Sequence, residues 1–147
     1  RWATAGPVTL EGIDSPSASS ATYYEQYKVT WHLVKAHQNF SDTTSSNYFN
    51  ATGQQFNGTL TLTGLYTGRD LTDWVDYKST ITISENSTGS TSGHLWRSLG
   101  DSYTVTAGGT YNFRYEELIR VGGIYTYDYG GDYSLDDAVS QVQVTNK

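Results

Sequence analysis

The chain has 147 residues, with 9 Lys+Arg against 15 Asp+Glu and a formal net charge of −6. A length of about 100–200 residues is typical of one domain, and a negative balance argues against nucleic acid or an anionic membrane face as the main partner. Cys is absent, which excludes disulfides, Cys-ligated zinc and thiol catalysis, and no stretch approaches the ~18 consecutive apolar residues of a membrane span.

Hydroxyl-bearing and aromatic residues dominate the composition. Thr (21) and Ser (16) account for 37 of the 147 residues, with 13 Tyr and 15 Gly beside them, whereas charged residues make up only 16%. Thr and Tyr favour the pleated, half-buried surface of strands, and good helix formers are comparatively few. The composition therefore predicts an all-β protein. Its low charge is more typical of an extracellular surface than of the cytosol.

The first 22 residues predict an N-terminal arm and a Ser-rich linker. In residues 1–14 (RWATAGPVTLEGID), Val8, Leu10 and Gly12 alternate with polar residues, which is the pattern of a short strand. Residues 15–22 (SPSASSAT) predict an extended linker that reaches about 26 Å. The chain begins at Arg1 and contains no Met, which we interpret as a mature, secreted protein whose signal has been removed.

The remainder, residues 23–147, predicts one β-sandwich domain. Its clearest pattern is a long strand from Tyr23 to about Lys35, in which side chains alternate between two faces. Further strands are predicted at residues 56–65, 79–84, 102–106, 110–116, 118–121, 124–129 and 138–145. Eight or nine short strands without intervening helices indicate a two-sheet sandwich, either immunoglobulin-like or jelly-roll, with an extended N-terminal arm.

Three connecting segments lead to specific predictions. Residues 36–59 show little apolar periodicity and predict a long polar loop, which is uncommon in a compact domain and usually functional. Residues 68–76 predict one helical turn, because their carboxylates recur every three residues. The sequence Ala107-Gly108-Gly109 predicts a hairpin between the strands on either side.

Four Asn-X-Ser/Thr triplets are candidate N-glycosylation sites. Their acceptors are Asn39, Asn50, Asn57 and Asn86. Three of the four lie in or beside the long polar loop, which supports the prediction because an acceptor must be exposed to be modified. The chain has 7 Asn and is rich in Ser and Thr, so about two such triplets are expected by chance. The alternative interpretation is a hydroxyl-rich surface that carries no sugar.

A cluster of carboxylates near the C-terminal end is the one candidate metal site. It comprises Asp128, Asp132, Asp136 and Asp137. Calcium takes six to eight oxygen ligands from flexible loops. The carboxylates of this segment, spaced by Gly, Tyr and Ser, can supply such oxygen atoms. The spacing matches no dedicated calcium loop, so the alternative is a solvated acidic turn. We therefore expect no cofactor other than calcium.

Aromatic side chains provide a candidate ligand platform. Tyr125, Tyr127 and Tyr129 alternate and so project from one face of a strand, where they can stack on sugar rings. Trp96 follows a Ser/Gly-rich run and is expected to be the most exposed tryptophan. The alternative is that the tyrosines pack inside their own sandwich.

No catalytic motif is found, and the sequence predicts that the protein is not an enzyme. The three histidines show no metal-ligand spacing, and no Gly-x-Ser-x-Gly elbow occurs. Glu116 and Glu117 are adjacent, so on a strand they point to opposite faces and cannot form an acid/base pair by themselves.

The order of arm, linker and body favours a structural subunit that polymerises by β-strand donation. The donated segment is expected to contact the next copy through Val8, Leu10, Gly12 and Ile13. An extended peptide can complete the sheet of a neighbour, and such a head-to-tail contact grows into a filament. The layout is similar to that of the donor-strand filaments and pili of bacterial and archaeal surfaces. The alternative is that the arm docks on its own body.

The predicted function is thus a secreted, glycosylated subunit of an extracellular filament or surface assembly, whose partners are copies of itself. A second hypothesis is a secreted carbohydrate-binding module that uses the Tyr and Trp platform, with glycans as its partners. A receptor-binding or capsid-type sandwich is a third, which the sequence does not distinguish from the other two.

Overall fold

A computed structural model gives the fold, and it describes residues 1–5, 21–37, 40–89, 93–121 and 124–127. These residues form strands and no helix. The strands are β1 (Trp2–Thr4), β2 (Tyr23–Lys35), β3 (Phe49–Gln55), β4 (Gly58–Leu65), β5 (Leu71–Asp76), β6 (Thr80–Ile83), β7 (His94–Ser98), β8 (Tyr103–Thr104), β9 (Gly109–Val121) and β10 (Ile124–Tyr127). They build two sheets, so the predicted all-β class is confirmed and the arrangement is consistent with a β-sandwich.

The larger sheet has six strands and is centred on two long ones. β2 and β9 run parallel, in register from Val29 opposite Gly109 to Lys35 opposite Tyr115. β5 pairs antiparallel with β2, and β7 pairs antiparallel with β9. Because β9 joins β2 only from Val29 onward, the first half of β2 keeps an open edge, and β1 lies along it.

The smaller sheet has four strands in the order β4-β3-β6-β8. β3 and β4 form a hairpin whose two-residue turn is Phe56-Asn57, with φ values of 53° and 59°. Two successive positive φ angles define a type I′ turn, whose twist matches that of the flanking strands. At its far end the hairpin has an irregularity in register between Phe49 and Asn50.

The core lies between the two sheets and is rich in aromatic and β-branched side chains. The fully buried members are Val29, Trp31, Phe49, Ala51, Leu65, Val75, Ile81, Val105, Phe113 and Tyr115. The two that belong to β2, Val29 and Trp31, lie on one face of the strand, as the predicted alternation of side chains requires. Gly53 packs against the indole of Trp31. A Cβ at this position would be 3.6 Å from Cζ2 of the ring.

Several local predictions were wrong. The segment predicted as one helical turn ends in the edge strand β5, because pairing with β2 overrides the threefold spacing of its carboxylates. The predicted loop 36–59 contains β3, whose small core-facing residues hide the apolar alternation. The hairpin around Ala107–Gly109 does not form, because β8 pairs with β6 and β9 with β2, so the chain crosses between sheets there.

Other boundaries differ less. β2 has the predicted bounds, while the strands predicted at 110–116 and 118–121 are one continuous strand, β9. β7 was not predicted. The predicted strand around Val8–Gly12 and the one at 138–145 lie outside the described residues, so the extended arm is not confirmed.

Candidate functional site

The N-terminal strand fills the open edge of β2. β1 runs antiparallel to β2, with Trp2 opposite Glu25 and Thr4 opposite Tyr23. The α-amino nitrogen of Arg1 donates to the Gln26 carbonyl at 2.6 Å, and the Gln26 N–H donates to the Arg1 carbonyl at 2.7 Å. The first residues thus pair with their own chain, to which they are joined by residues 5–22.

A polar network continues from this strand into the body of the protein. Nε of Arg1 donates to Oε1 of Gln26 at 3.2 Å, and Nε2 of Gln26 donates to Oδ1 of Asp76 at 2.9 Å. The other carboxylate oxygen of Asp76 accepts the Asn57 N–H at 2.8 Å. Buried polar groups are costly unless they are paired, and this arrangement pairs them. It links the first residue to the turn of the smaller sheet.

β1 is only slightly buried by the rest of the protein. Trp2 remains 69% exposed and Tyr23 60% exposed, although both are large apolar side chains. The Arg1 guanidinium lies 4.4 Å from the centroid of the Trp74 ring, a cation–π contact at the surface. β1 is therefore held by a few backbone and polar contacts and buries little apolar surface, unlike the strands of the core.

A second feature is the outer edge of β4. On that side β4 has no strand partner among the described residues. Thr59, Thr61 and Thr63 are exposed, while Leu60 and Leu62 are partly buried against the core. The strand carries no charge, although exposed edges in natural proteins are usually protected by charged side chains or Pro. Within the described residues, the side chains of β4 itself thus provide none of that protection.

A buried carboxylate on β9 has a partner that the sequence analysis did not predict. Glu117 is 1% exposed, accepts the Ser41 N–H at 2.9 Å, and lies 2.6 Å from Nδ1 of His94. Glu116 instead binds Arg97 at 3.0 Å, so the two adjacent glutamates have separate partners, as expected for opposite faces of a strand. Since Glu117 and His94 are 23 residues apart, only the pairing of β7 with β9 brings them together.

No further metal-ligating side chain joins the Glu117–His94 pair in the described part of the chain. A carboxylate that orients a histidine is part of many hydrolytic triads and metal centres, but both require further groups. No cluster of three or more His, Cys, Asp or Glu side chains occurs among the described residues. The His94 ring stacks on Trp96 with a centroid distance of 6.3 Å.

The expectation that Trp96 is exposed was wrong. The side chain is 5% exposed, and its Nε1 donates to the Ser41 carbonyl at 3.1 Å. Its position opposite Glu117 on β9 turns the indole toward the interior. Trp96 therefore offers no free ring face for a sugar. The most exposed tryptophan in the described part of the chain is Trp2.

The four glycosylation acceptors differ in accessibility. Asn57 at the hairpin turn and Asn86 are exposed. Asn50 lies within β3, where its Oδ1 is buried without a hydrogen-bond partner. Asn39 lies outside the described residues.

The remaining candidate residues lie outside the described part of the chain. These are the donor residues Val8, Leu10, Gly12 and Ile13, the carboxylates Asp128, Asp132, Asp136 and Asp137, and Tyr129. Tyr125 and Tyr127 are on β10, of which the backbone alone is described. The calcium site and the tyrosine platform therefore stay predictions.

Comparisons with protein-family models, curated proteins and solved structures give no significant match to this chain. In the described residues, no helix has the length and apolarity that a membrane crossing requires.

Proposed function

We propose that this chain is a secreted subunit of an extracellular filament or surface assembly, in which each copy donates its N-terminal β-strand to a neighbour. The observation that carries the proposal is that β9 leaves the first half of β2 unpaired, and that the chain's own short strand β1 fills this edge with few contacts. The same edge exists in every copy, so the strand of one copy fits the gap of another with the same contacts.

The connection between β1 and β2 supports this exchange. Residues 5–22 comprise 18 residues, which span up to about 60 Å when extended, so they can carry β1 to a neighbouring copy. An exchange of identical strands preserves the Arg1–Gln26 backbone pair and changes only which chain supplies it. In this arrangement Val8, Leu10, Gly12 and Ile13 contact the recipient copy, and head-to-tail repetition builds an open polymer.

Composition supports an extracellular location. The surface is rich in hydroxyls and poor in charge, and two of the four glycosylation acceptors, Asn57 and Asn86, are exposed. Attached glycans protect such a surface and increase its solubility. The proposal includes neither an enzymatic activity nor a cofactor.

The test uses engineered disulfides in this cysteine-free chain. Thr4 and Tyr23 face each other across β1 and β2, and alternate cross-strand pairs in antiparallel sheets have Cα atoms about 4.5–5.5 Å apart, within the range that a disulfide bridges. We expect the double variant Thr4→Cys/Tyr23→Cys to give a ladder of covalent oligomers on a non-reducing gel under assembly conditions. Negative-stain microscopy of the same sample is expected to show filaments.

The matched control is Thr4→Cys alone, which provides one thiol per chain and so cannot extend beyond a dimer. Deletion of residues 1–14 is expected to abolish filaments. If the double variant forms only an intramolecular disulfide and remains monomeric at high concentration, the strand stays in its own chain and the proposal is wrong.

A further inference from the structure

Seven of the eight residues of β4 read the same in both directions. From Gly58 to Gly64 it is Gly-Thr-Leu-Thr-Leu-Thr-Gly, with Thr61 at its centre. Two antiparallel copies of such a segment place like residues opposite each other. A two-fold symmetric contact requires a surface that is complementary to itself, and this palindromic segment fulfils the requirement along its seven residues.

The backbone of β4 is oriented for such a contact. Gln55 and Gly58 close the two-residue turn, and the pairs that follow are Thr59 with Gln54 and Leu60 with Gly53. In an antiparallel ladder, pairs alternate between hydrogen-bonded and non-hydrogen-bonded, and the pair that closes a two-residue turn is hydrogen-bonded. Counting in twos from the hydrogen-bonded Gly58, the backbone N–H and C=O groups of Leu60 and Leu62 therefore bond to β3.

The threonines occupy the alternate positions. The N–H and C=O groups of Thr59, Thr61 and Thr63 point away from β3, toward the edge that has no strand partner in the described part of the chain. These three residues are also the ones whose side chains are exposed.

We propose that β4 pairs antiparallel with β4 of a second copy across a two-fold axis at Thr61. Thr61 then lies opposite Thr61 of the other copy, and Thr59 lies opposite Thr63. Each of these pairs exchanges two backbone hydrogen bonds, as in any antiparallel ladder. The two four-stranded sheets join into one continuous sheet of eight strands.

The side chains of the strand favour this partner. Leu60 and Leu62 are only partly buried, and in the paired state each lies opposite the other residue in the second copy, which extends the core across the contact. On the outer face, Thr–Thr pairs across strands are favourable. The inner face of β4, with its leucines, and the outer face, with its threonines, therefore both gain side-chain contacts.

Charge also selects this edge. The chain carries a net charge of −6, so two copies repel each other over most of their surface. β4 contributes no charged residue, whereas β5 at the edge of the other sheet contains the partly exposed Asp73. A second copy therefore approaches the edge of β4 without bringing like charges into direct contact.

The contact is small. Seven residues span about 24 Å of edge, and one strand edge buries much less than the roughly 800 Å² per partner of a stable interface. Single copies are thus expected to dimerise weakly. In the proposed filament the contact repeats in every subunit and joins two filaments side by side, where many weak contacts act together.

The register can be tested with single cysteines in the full chain. In the proposed pairing, the two copies of Thr61 have Cα atoms about 5.5 Å apart, a distance that a disulfide bridges. In the same pairing Thr59 lies opposite Thr63, so the two copies of Thr59 are offset by four residues along the strands. Their Cα atoms are then about 13 Å apart. Under mild oxidation we expect Thr61→Cys to form disulfide-linked dimers at least tenfold faster than Thr59→Cys or Thr63→Cys alone.

A mixture of the Thr59→Cys and Thr63→Cys proteins is expected to cross-link about as fast as Thr61→Cys, because these positions face each other between copies. Equal rates for all three single variants would indicate random collision and contradict the proposal. These reactions do not involve β1, so their result is independent of whether strand donation occurs.

A second measurement addresses the backbone. Thr61→Pro removes an outward N–H without removing a bond to β3, as is tolerated on edge strands. We expect it to abolish the concentration-dependent dimer in sedimentation velocity while the far-ultraviolet circular dichroism is unchanged. Thr61→Val retains the N–H and is expected to dimerise like the parent chain. If Thr61→Pro dimerises as the parent does, or if the parent shows no dimer at millimolar concentration, β4 does not pair in this way.

Discussion

Gln26 donates a hydrogen bond from its Nε2 to Oδ1 of Asp76 at 2.9 Å, and both side chains are buried in the larger sheet. Asp76 uses its second oxygen for the backbone of Asn57, and Gln26 uses its carbonyl oxygen for Arg1. One buried pair therefore connects the first strand, the long strand β2 and the hairpin turn. Loss of this pair is expected to destabilise β1, β2 and the hairpin turn together.

The first prediction concerns this pair. Asp76→Ala leaves the amide of Gln26 and the N–H of Asn57 without their acceptor. Because unpaired buried donors are costly, we expect a loss of about 2–4 kcal/mol in the free energy of unfolding, measured by urea denaturation. Asp70→Ala is the control, since that carboxylate is 46% exposed and its contact with His32 is expected to contribute less than about 1 kcal/mol. Equal effects of the two variants would contradict the role of the buried network.

The second prediction concerns the close approach of the sheets at Gly53. A Cβ there would be 3.2 Å from Cγ2 of Ile81 and 3.4 Å from Cγ1 of Val75. Gly53→Val adds two further methyl groups to this space and is expected to lower the free energy of unfolding by about 1–3 kcal/mol. Gly53→Ala adds only the Cβ, and its cost is partly offset by the lower entropy of the unfolded chain. A thermal melt in which the two variants have the same midpoint would show that the core is loosely packed there.

The third prediction compares two tryptophans. Trp96 is 5% exposed and Trp2 is 69% exposed. We expect Trp96→Ala to destabilise the protein by about 3–5 kcal/mol and Trp2→Ala by no more than about 0.5 kcal/mol. Urea denaturation of both variants measures the difference. A small effect of Trp96→Ala would mean that the indole is not part of the folded interior.

The fourth prediction concerns the stability of the fold at low pH. The Arg114 side chain hydrogen-bonds both oxygens of Asp101, with a shortest distance of 2.7 Å, and this contact lowers the pKa of the Asp101 carboxyl from 3.8. Because the pKa is lower in the folded state, the ionised carboxylate stabilises the fold above about pH 4, and this contribution is lost as the pH falls through the folded-state value.

Asp101→Asn removes the titrating group and serves as the comparison for that pH dependence. We expect the difference in unfolding free energy between the parent and Asp101→Asn to be largest near neutral pH and to shrink below pH 4. Urea denaturation at pH 7, 4, 3 and 2 measures it. A difference that does not change with pH would show that Asp101 keeps its ordinary pKa in the folded protein.

The fifth prediction concerns the sugars. In material secreted from a glycosylating host, we expect glycans at Asn57 and Asn86 and little or none at Asn50, whose side chain lies within a strand. Peptide mass spectrometry measures occupancy at each position. Thr88→Ala removes the acceptor motif of Asn86 without changing Asn86 itself, and is expected to lower the mass by one glycan. Full occupancy at Asn50 in folded protein would contradict the assignment.

The sequence by itself determined the class of the fold and one of its two longest strands, β2. Composition and alternation are local properties, and β2 has the predicted bounds because its apolar core residues Val29, Trp31 and Leu33 alternate with less buried ones. The turn at Ala107–Gly109 has the residues of a hairpin but links two different sheets. Local turn chemistry permits a reversal without specifying which strand becomes the partner.

Only the tertiary structure decided which residues form the candidate sites. Pairing across distant parts of the chain buries Trp96, brings Glu117 to His94, and places Gln26 beside Asp76. The palindrome in β4 is visible in the sequence, but its significance depends on β4 being at the edge of its sheet, which is set by the order of the other strands. Periodicity records the two faces of a strand, whereas burial and edge position depend on long-range partners that no local pattern encodes.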